Sequence, residues 1–415
     1  MISIRKSTFH KSLLIASVLV LLLTSYEMTF LVWSLSAFVS LRNRYSVQIS
    51  KLILIFSTIM LIALFSSFFQ DFRSYNFFRD VAYLLKPILG LLVGYNFCKS
   101  VGKPAIKTII HSGVALAVIH IATIAFYYVV FGIRSMNELR QYGGYFDDYE
   151  IYVLVLLMFY KRFDIGLKRT TVYLFIAIIS FSSFLYLART NIIQVLILVL
   201  AMKGHLRMTK RSLSILGAFI IISTLSYTAI YYSYPQRNAR GLEAFFYKIK
   251  IAPIEAFKTH INEDDWKEFN DNYRSFENII TVKQVTGNGW FTIIFGEGMG
   301  STIDIGREMW TNDGEYIRYV PALHNSYMTI FLKSGILGVL LLIYSIYVVF
   351  KQPRSDSEII RNINYLLVGS AVFLILSNWV FMGFYLKLDN KSIFIGFLLC
   401  YKELLLKEQK QYENE

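Results

Sequence analysis

Charge is scarce in this sequence. Asp, Glu, Lys and Arg make up 17% of its 415 residues, against about 25% in soluble domains. What charge there is leans one way, 42 Lys and Arg against 28 Asp and Glu, for a formal net charge of +14. Proline is rare at six, and cysteine rarer at two. Two cysteines, Cys98 and Cys400, cannot build a disulfide framework. Hydrophobic residues reach 55%, which excludes a disordered chain. A mean hydropathy of +0.48 excludes a water-soluble enzyme.

What is abundant is apolar sequence in long runs. Crossing about 30 Å of hydrocarbon takes about 20 residues of helix. Runs at 12–25, 28–40, 50–69, 80–97, 106–131, 150–160, 171–187, 190–202, 212–232, 326–350, 360–383 and 392–406 predict an all-α polytopic membrane protein of about twelve helices. Several runs are short, which suggests tilt or pairing. Arg5, Lys6 and Lys11 precede the apolar stretch Leu13 to Leu23 in the manner of a signal peptide. No small-x-small cleavage site follows, so a retained first helix is expected.

Placing the N-terminus in the cytoplasm puts 23 Lys and Arg in the inside segments and seven in the short outside loops. That asymmetry predicts cytoplasmic termini at both ends. The basic balance then faces anionic lipid. No soluble basic domain is left to bind nucleic acid. The chain divides into 1–232 with about nine helices, a polar outside loop over 233–323, and 324–415 with about three helices. The loop carries ten Lys and Arg and thirteen Asp and Glu, and loops of this length are usually functional.

Within the loop, 265–285 has helical periodicity. Trp266, Phe269, Tyr273, Phe276 and Ile280 share one face; Lys267, Asn270, Arg274, Glu277 and Asn278 share a polar one. The apolar face suits either a membrane interface or packing on the bundle. Gly296-Glu297-Gly298-Met299-Gly300 follows. Such glycines allow backbone amides to approach a phosphate, or make a flexible turn. His324 stands where the chain re-enters the membrane. It could serve as a base or bond at a helix start. The acids Asp147, Asp148 and Glu150 fit a solvated loop or a helix N-terminal charge pattern, with no metal-ligand spacing.

These residues resemble a known set. Leu323-His324-Asn325-Ser326-Tyr327, with nine residues between Asn325 and Gly335, resembles the histidine motif of the O-antigen polymerase and O-antigen ligase superfamily. Tyr273-Arg274-Ser275-Phe276-Glu277 with Phe295 to Gly300 resembles the arginine helix and glycine turn that precede that histidine. Leu187-Ala188-Arg189-Thr190 resembles the family's Ser-Arg hairpin, with Ala188 in the serine position. Arg140 with Gly143-Gly144-Tyr145-Phe146 resembles a weaker family element.

The resemblance implies an enzyme of the bacterial inner (cytoplasmic) membrane, multi-pass, acting at its outer face. It would move a glycan from an undecaprenyl-diphosphate carrier to an acceptor hydroxyl. No metal, nucleotide or other cofactor is implied. The donor is an undecaprenyl-diphosphate-linked oligosaccharide in membrane lipid. A chain-length regulator and a flippase are the implied protein partners. A polymerase extends a lipid-linked repeat unit; a ligase transfers to the lipid A core. The low-GC bias in residue usage favours the polymerase.

The chemistry asks for charge stabilisation on a departing diphosphate and help in deprotonating a hydroxyl. Arginine forks match phosphate oxygens. Arg274 and Arg189 are therefore expected as diphosphate clamps and Arg140 as a third, with His324 as base. Asn325, Tyr327 and Gly298 are expected to line the substrate. The competing class is an uncoupled carrier. It is disfavoured because no acidic residue is expected mid-helix, and because Lys86 and Lys333 are expected to snorkel from near helix ends.

The charge asymmetry generates a labelling test. In intact spheroplasts, Ser275→Cys is expected to react with a membrane-impermeant thiol reagent and Ser355→Cys to stay unlabelled; the reverse pattern overturns the orientation.

Overall fold

The computed structural model describes residues 6–414 apart from 24, 71–72, 145–146, 207–209, 237–241, 244–245, 248, 252–257, 259, 263–264, 311–315 and 387–389. Arg5, Tyr145 and Phe146, named in the readings above, lie outside the described residues. The chain is a mostly helical membrane protein. Its first helices are α1 (Lys6–Leu19), α2 (Tyr26–Val39), α3 (Val47–Ser67), α4 (Ser74–Val101) and α5 (Ala105–Val130). Then come α6 (Met136–Gly143), α7 (Asp148–Met158), α8 (Arg169–Leu185), α9 (Arg189–Met202) and α10 (Lys210–Tyr232). The loop supplies α11 (Trp266–Asp271), α12 (Tyr273–Gly287), α13 (Trp290–Phe295), and strands β1 (Ile303–Trp310) and β2 (Tyr316–Val320). The chain closes with α14 (Ser326–Phe350), α15 (Glu358–Val380) and α16 (Lys391–Asn414).

Five helices are long and apolar enough to cross a membrane: α3, α4, α5, α14 and α15. The other apolar helices among the described residues, α1 with the turn after it, α2, α8, α9 and the second half of α10, are shorter. Polar caps set several helix starts. Ser46 accepts from the Ile49 amide, Asp147 from the Tyr149 and Glu150 amides, and Asn325 from the Tyr327 and Met328 amides. Asp147 thus belongs to a helix N-terminus, as the charge pattern allowed.

Helix ends gather at two poles. At one pole Tyr95 bonds the Ser46 amide and Glu403, Lys99 pairs with Glu403 at 3.0 Å, and Arg162 donates to the Met202 carbonyl at 2.7 Å. At the other, the loop pole, the N-termini of α4 and α14 meet the loop, and Lys391 at the start of α16 joins the α7 N-terminus to the 382–386 turn. The lysines differ from expectation here. Lys333 is 1% exposed and pairs with Asp80, itself 2% exposed, at 2.5 Å. Lys86 donates to the Leu386 carbonyl and lies over the rings of Tyr26 and Trp33. Both are held inside the protein rather than snorkelling, and Asp80 is a carboxylate within a membrane helix.

The loop is not wholly helical either. β1 and β2 form an antiparallel hairpin with Ile303 opposite Val320 and Trp310 opposite Tyr316. Alternation of Ile303 and Ile305 with Asp304 and Gly306 turns the apolar pair inward. These residues join Phe269, Phe276, Val285, Val320, Leu323 and Leu332 in a second apolar core. The greasy face of 265–285 is therefore a packing face, and Asn272 breaks the expected single helix into α11 and α12. Ser275 is buried by this packing, so exposed Thr286 is the better labelling position.

The buried Asp80–Lys333 pair generates a stability prediction. Removing one partner of such a pair typically costs about 3–5 kcal/mol, whereas replacing both by apolar groups is often neutral. Asp80→Ala is expected to lower the Tm in detergent sharply and Asp80→Ala/Lys333→Met to recover much of the loss. Equal melting of the single variant and the wild type would count against a structural role for the pair.

Candidate active site

His324 lies one residue before the cap of α14, and Glu277 on α12 is built around it. Glu277 accepts from the His324 amide at 3.1 Å and lies 3.0 Å and 3.2 Å, by its two oxygens, from His324 Nδ1. The carboxylate is 1% exposed while the imidazole is 51% exposed. Of the two neutral tautomers, a carboxylate facing Nδ1 selects the one whose proton is on Nδ1. Nε2 is then left with a lone pair on a ring open to its surroundings. Tyr273 stacks edge-on against the His324 ring at 5.9 Å. Burial, and then the Glu277 carboxylate, push the Tyr273 phenol up, so it stays protonated.

Arg274 follows Tyr273 on α12. Its guanidinium lies 5.3 Å over the Phe381 ring at the end of α15. The next residue, Met382, donates its amide to the His324 carbonyl at 3.1 Å. Arg274 and His324 thus converge on the same short segment. Asn325 is buried as the α14 cap, which fixes the backbone that carries His324. Tyr327 turns toward α15, donating to the Ile375 carbonyl at 3.4 Å beside Trp379.

Arg189 opens α9 at the same pole, after Leu187 takes a left-handed φ of 46°. Gln194 of α9 donates to the Asp148 carbonyl at 3.2 Å. Asp148 pairs with Lys391 at 2.7 Å, and Lys391 donates to the Gly383 carbonyl at 2.8 Å. The Arg189 hairpin therefore reaches the His324 segment through α7, α16 and the 382–385 turn. Arg140 sits half-buried on α6, whose Tyr142 stacks on Tyr127 of α5 at 4.0 Å.

The glycine turn corrects one expectation. Its amides do not face outward for a phosphate. Glu297 and Gly298 donate to the Leu332 and Lys333 carbonyls at 2.7 and 3.1 Å. Met299 donates to the Ala63 carbonyl and Ser67 Oγ, and Gly300 to Asp80 Oδ2 at 2.7 Å. Those two carbonyls of α14 are freed because Gly335, at φ 62° and ψ −163°, kinks the helix. A Cβ on Gly298 would lie 2.5 Å from the Ser67 amide nitrogen, at a φ of +85°. Gly298 is thus a packing residue rather than a binding one. Glu297, pushed up by burial, accepts from Gln284 and Asn288 and ties the turn to α12.

Sequence reasoning placed Glu277 on a polar face and missed its role. The signal was present: Glu277 lies four residues after Tyr273, at the edge of the apolar stripe. Among the described residues there is no cluster of three or more His, Cys, Asp or Glu that could hold a metal ion. No family model matches the chain, and no curated protein matches it significantly.

A packing role for Gly298 predicts that Gly298→Ala, at a cost of roughly 1–3 kcal/mol in strain, lowers the Tm in detergent. An unchanged melt with weakened substrate binding would restore the binding role.

Proposed function

We propose that the chain is a metal-independent glycosyltransferase of the O-antigen polymerase and ligase superfamily, acting as a polymerase. It transfers a growing glycan from undecaprenyl diphosphate to a lipid-linked repeat unit at the outer face of the bacterial cytoplasmic membrane. Its helices are arranged as about twelve spans with both termini in the cytoplasm and the 233–323 loop outside. The reading rests on one observation above all: a Glu277–His324 pair beside Arg274, at the pole where the Arg189 hairpin also ends.

The reaction follows from those groups. The acceptor hydroxyl gives its proton to His324 Nε2 as its oxygen attacks the anomeric carbon. The bond from that carbon to the diphosphate oxygen breaks, and undecaprenyl diphosphate leaves with the electron pair. Arg274 and Arg189 hold the diphosphate by two-point hydrogen bonds, and Arg140 adds positive charge. Glu277 is a positioning residue that orients His324 and stabilises the imidazolium as it forms. Asn325 sets the helix start. The same constellation leaves no task for an ion gradient, which disfavours the carrier reading.

Purified protein supplied with lipid-linked repeat units is expected to elongate them in excess EDTA without a nucleotide sugar. Loss of activity that Mg²⁺ or Mn²⁺ restores would sink the mechanism. His324→Ala is expected to slow transfer by about 10²–10⁴-fold while donor binding survives. Arg274→Lys keeps the charge but loses the planar fork, and is expected to lose most activity; Arg274→Ala is expected to weaken donor binding. Wild-type elongation by both alanine variants would refute the assignment, and transfer to lipid A core alone would make the protein a ligase.

A further inference from the structure

At the pole opposite His324, a cleft of about 260 Å³ opens between the α14–α15 connection and the last turns of α16. Its wall carries Arg354, Lys402 and Lys410 against one carboxylate, Asp356. Lys402 is 5% exposed, and its ammonium donates to the neutral Gln352 Oε1 at 2.5 Å. Buried Lys333 and Lys391 each face an aspartate instead. Among the described residues no carboxylate lies within ion-pair distance of Lys402, Arg354 or Lys410. The nearby α16 acids are already engaged, Glu403 by Lys99 and Lys407, and Glu408 by Lys103. A buried ammonium without a counter-charge is unfavourable. On the same wall, Asn364 donates its Nδ2 to the Pro353 carbonyl at 2.8 Å while its buried Oδ1 has no hydrogen-bond partner.

The cleft therefore lacks two things: an anion for its cations and a hydroxyl for Asn364. Lysine and arginine both suit phosphate oxygens. Ile360 and Leu406 add an apolar border. We propose that this cleft binds a phosphate group whose ester carries a free hydroxyl. Lys402 meets the phosphate at the closed end, Arg354 and Lys410 meet it at the mouth, and Asn364 Oδ1 accepts the hydroxyl. Glycerol phosphate has this chemistry, either as the headgroup of an anionic phospholipid or as a soluble ester. Basic pockets between membrane helices take such headgroups. The proposal does not depend on the glycosyl-transfer reading.

The test uses the purified full chain in nanodiscs of phosphatidylcholine, with phosphatidylglycerol in one arm and soluble glycerol 1-phosphate in another. The readouts are the Tm and the lipids retained in native mass spectrometry. Wild type is expected to melt higher with ligand. If the source is lipid, phosphatidylglycerol is retained over phosphatidylcholine about tenfold; if the source is soluble, glycerol 1-phosphate alone raises the Tm. Arg354→Gln/Lys410→Gln changes two exposed residues and is expected to abolish either response. Lys402→Met is expected to melt no lower than wild type in phosphatidylcholine alone and to lose the ligand-dependent rise. Should Lys402→Met not fold, the double variant decides. No response in either arm, or an undiminished response in the double variant, overturns the proposal.

Discussion

The Asp80–Lys333 pair is the buried ion pair on which the attachment of the loop to the helices centres. Two charges in a low-dielectric interior attract strongly, but only while both are present. Asp80 also accepts the Gly300 amide, and Lys333 also donates to the Ser301 carbonyl. One ion pair thus joins α4, α14 and the glycine turn of the loop. The kink at Gly335 is the companion constraint. It releases the carbonyls of Leu332 and Lys333, and the turn uses both. The loop is hydrogen-bonded into the bundle as an extra element of it.

The candidate site depends on that attachment. His324 is carried by the start of α14 and Glu277 by α12, so their 3.0 Å contact exists only if loop and bundle keep one register. The second apolar core, from Phe269 to Leu332, maintains it by packing α12 and the hairpin against the first turns of α14. The Lys391–Asp148 pair does the same service on the other side, where Lys391 holds the Gly383 carbonyl of the segment that Arg274 meets at Phe381 and the His324 carbonyl at Met382.

Hydropathy and spacing made some of this legible before any coordinates. The five long apolar helices follow from run length alone, and the Leu187–Arg189 hairpin from the gap between two runs. The stripe from Phe269 to Ile280 announced a helix with a buried face. Other features were hidden because they depend on partners distant in sequence. Lys333 reads as a lone lysine until Asp80 is beside it, and Glu277 reads as solvated until His324 closes over it. The β-hairpin escaped because its strands contain and adjoin glycine and charged residues that read as loop. The amides of Glu297 to Gly300 looked available because glycine spacing reports backbone freedom, not what the backbone will meet.

The kink at Gly335 also changes how α14 measures against a bilayer. Beyond it, 336–350 rises only about 22 Å at 1.5 Å per residue. That falls short of about 30 Å of hydrocarbon. The first turns, 326–334, which also carry the loop's hydrogen bonds, are therefore needed to complete the candidate span Ser326–Phe350. One helix thus serves both as the loop's anchor and as a crossing segment. On the glycosyl-transfer reading proposed above, a long-chain lipid donor would meet His324 at the start of that same helix.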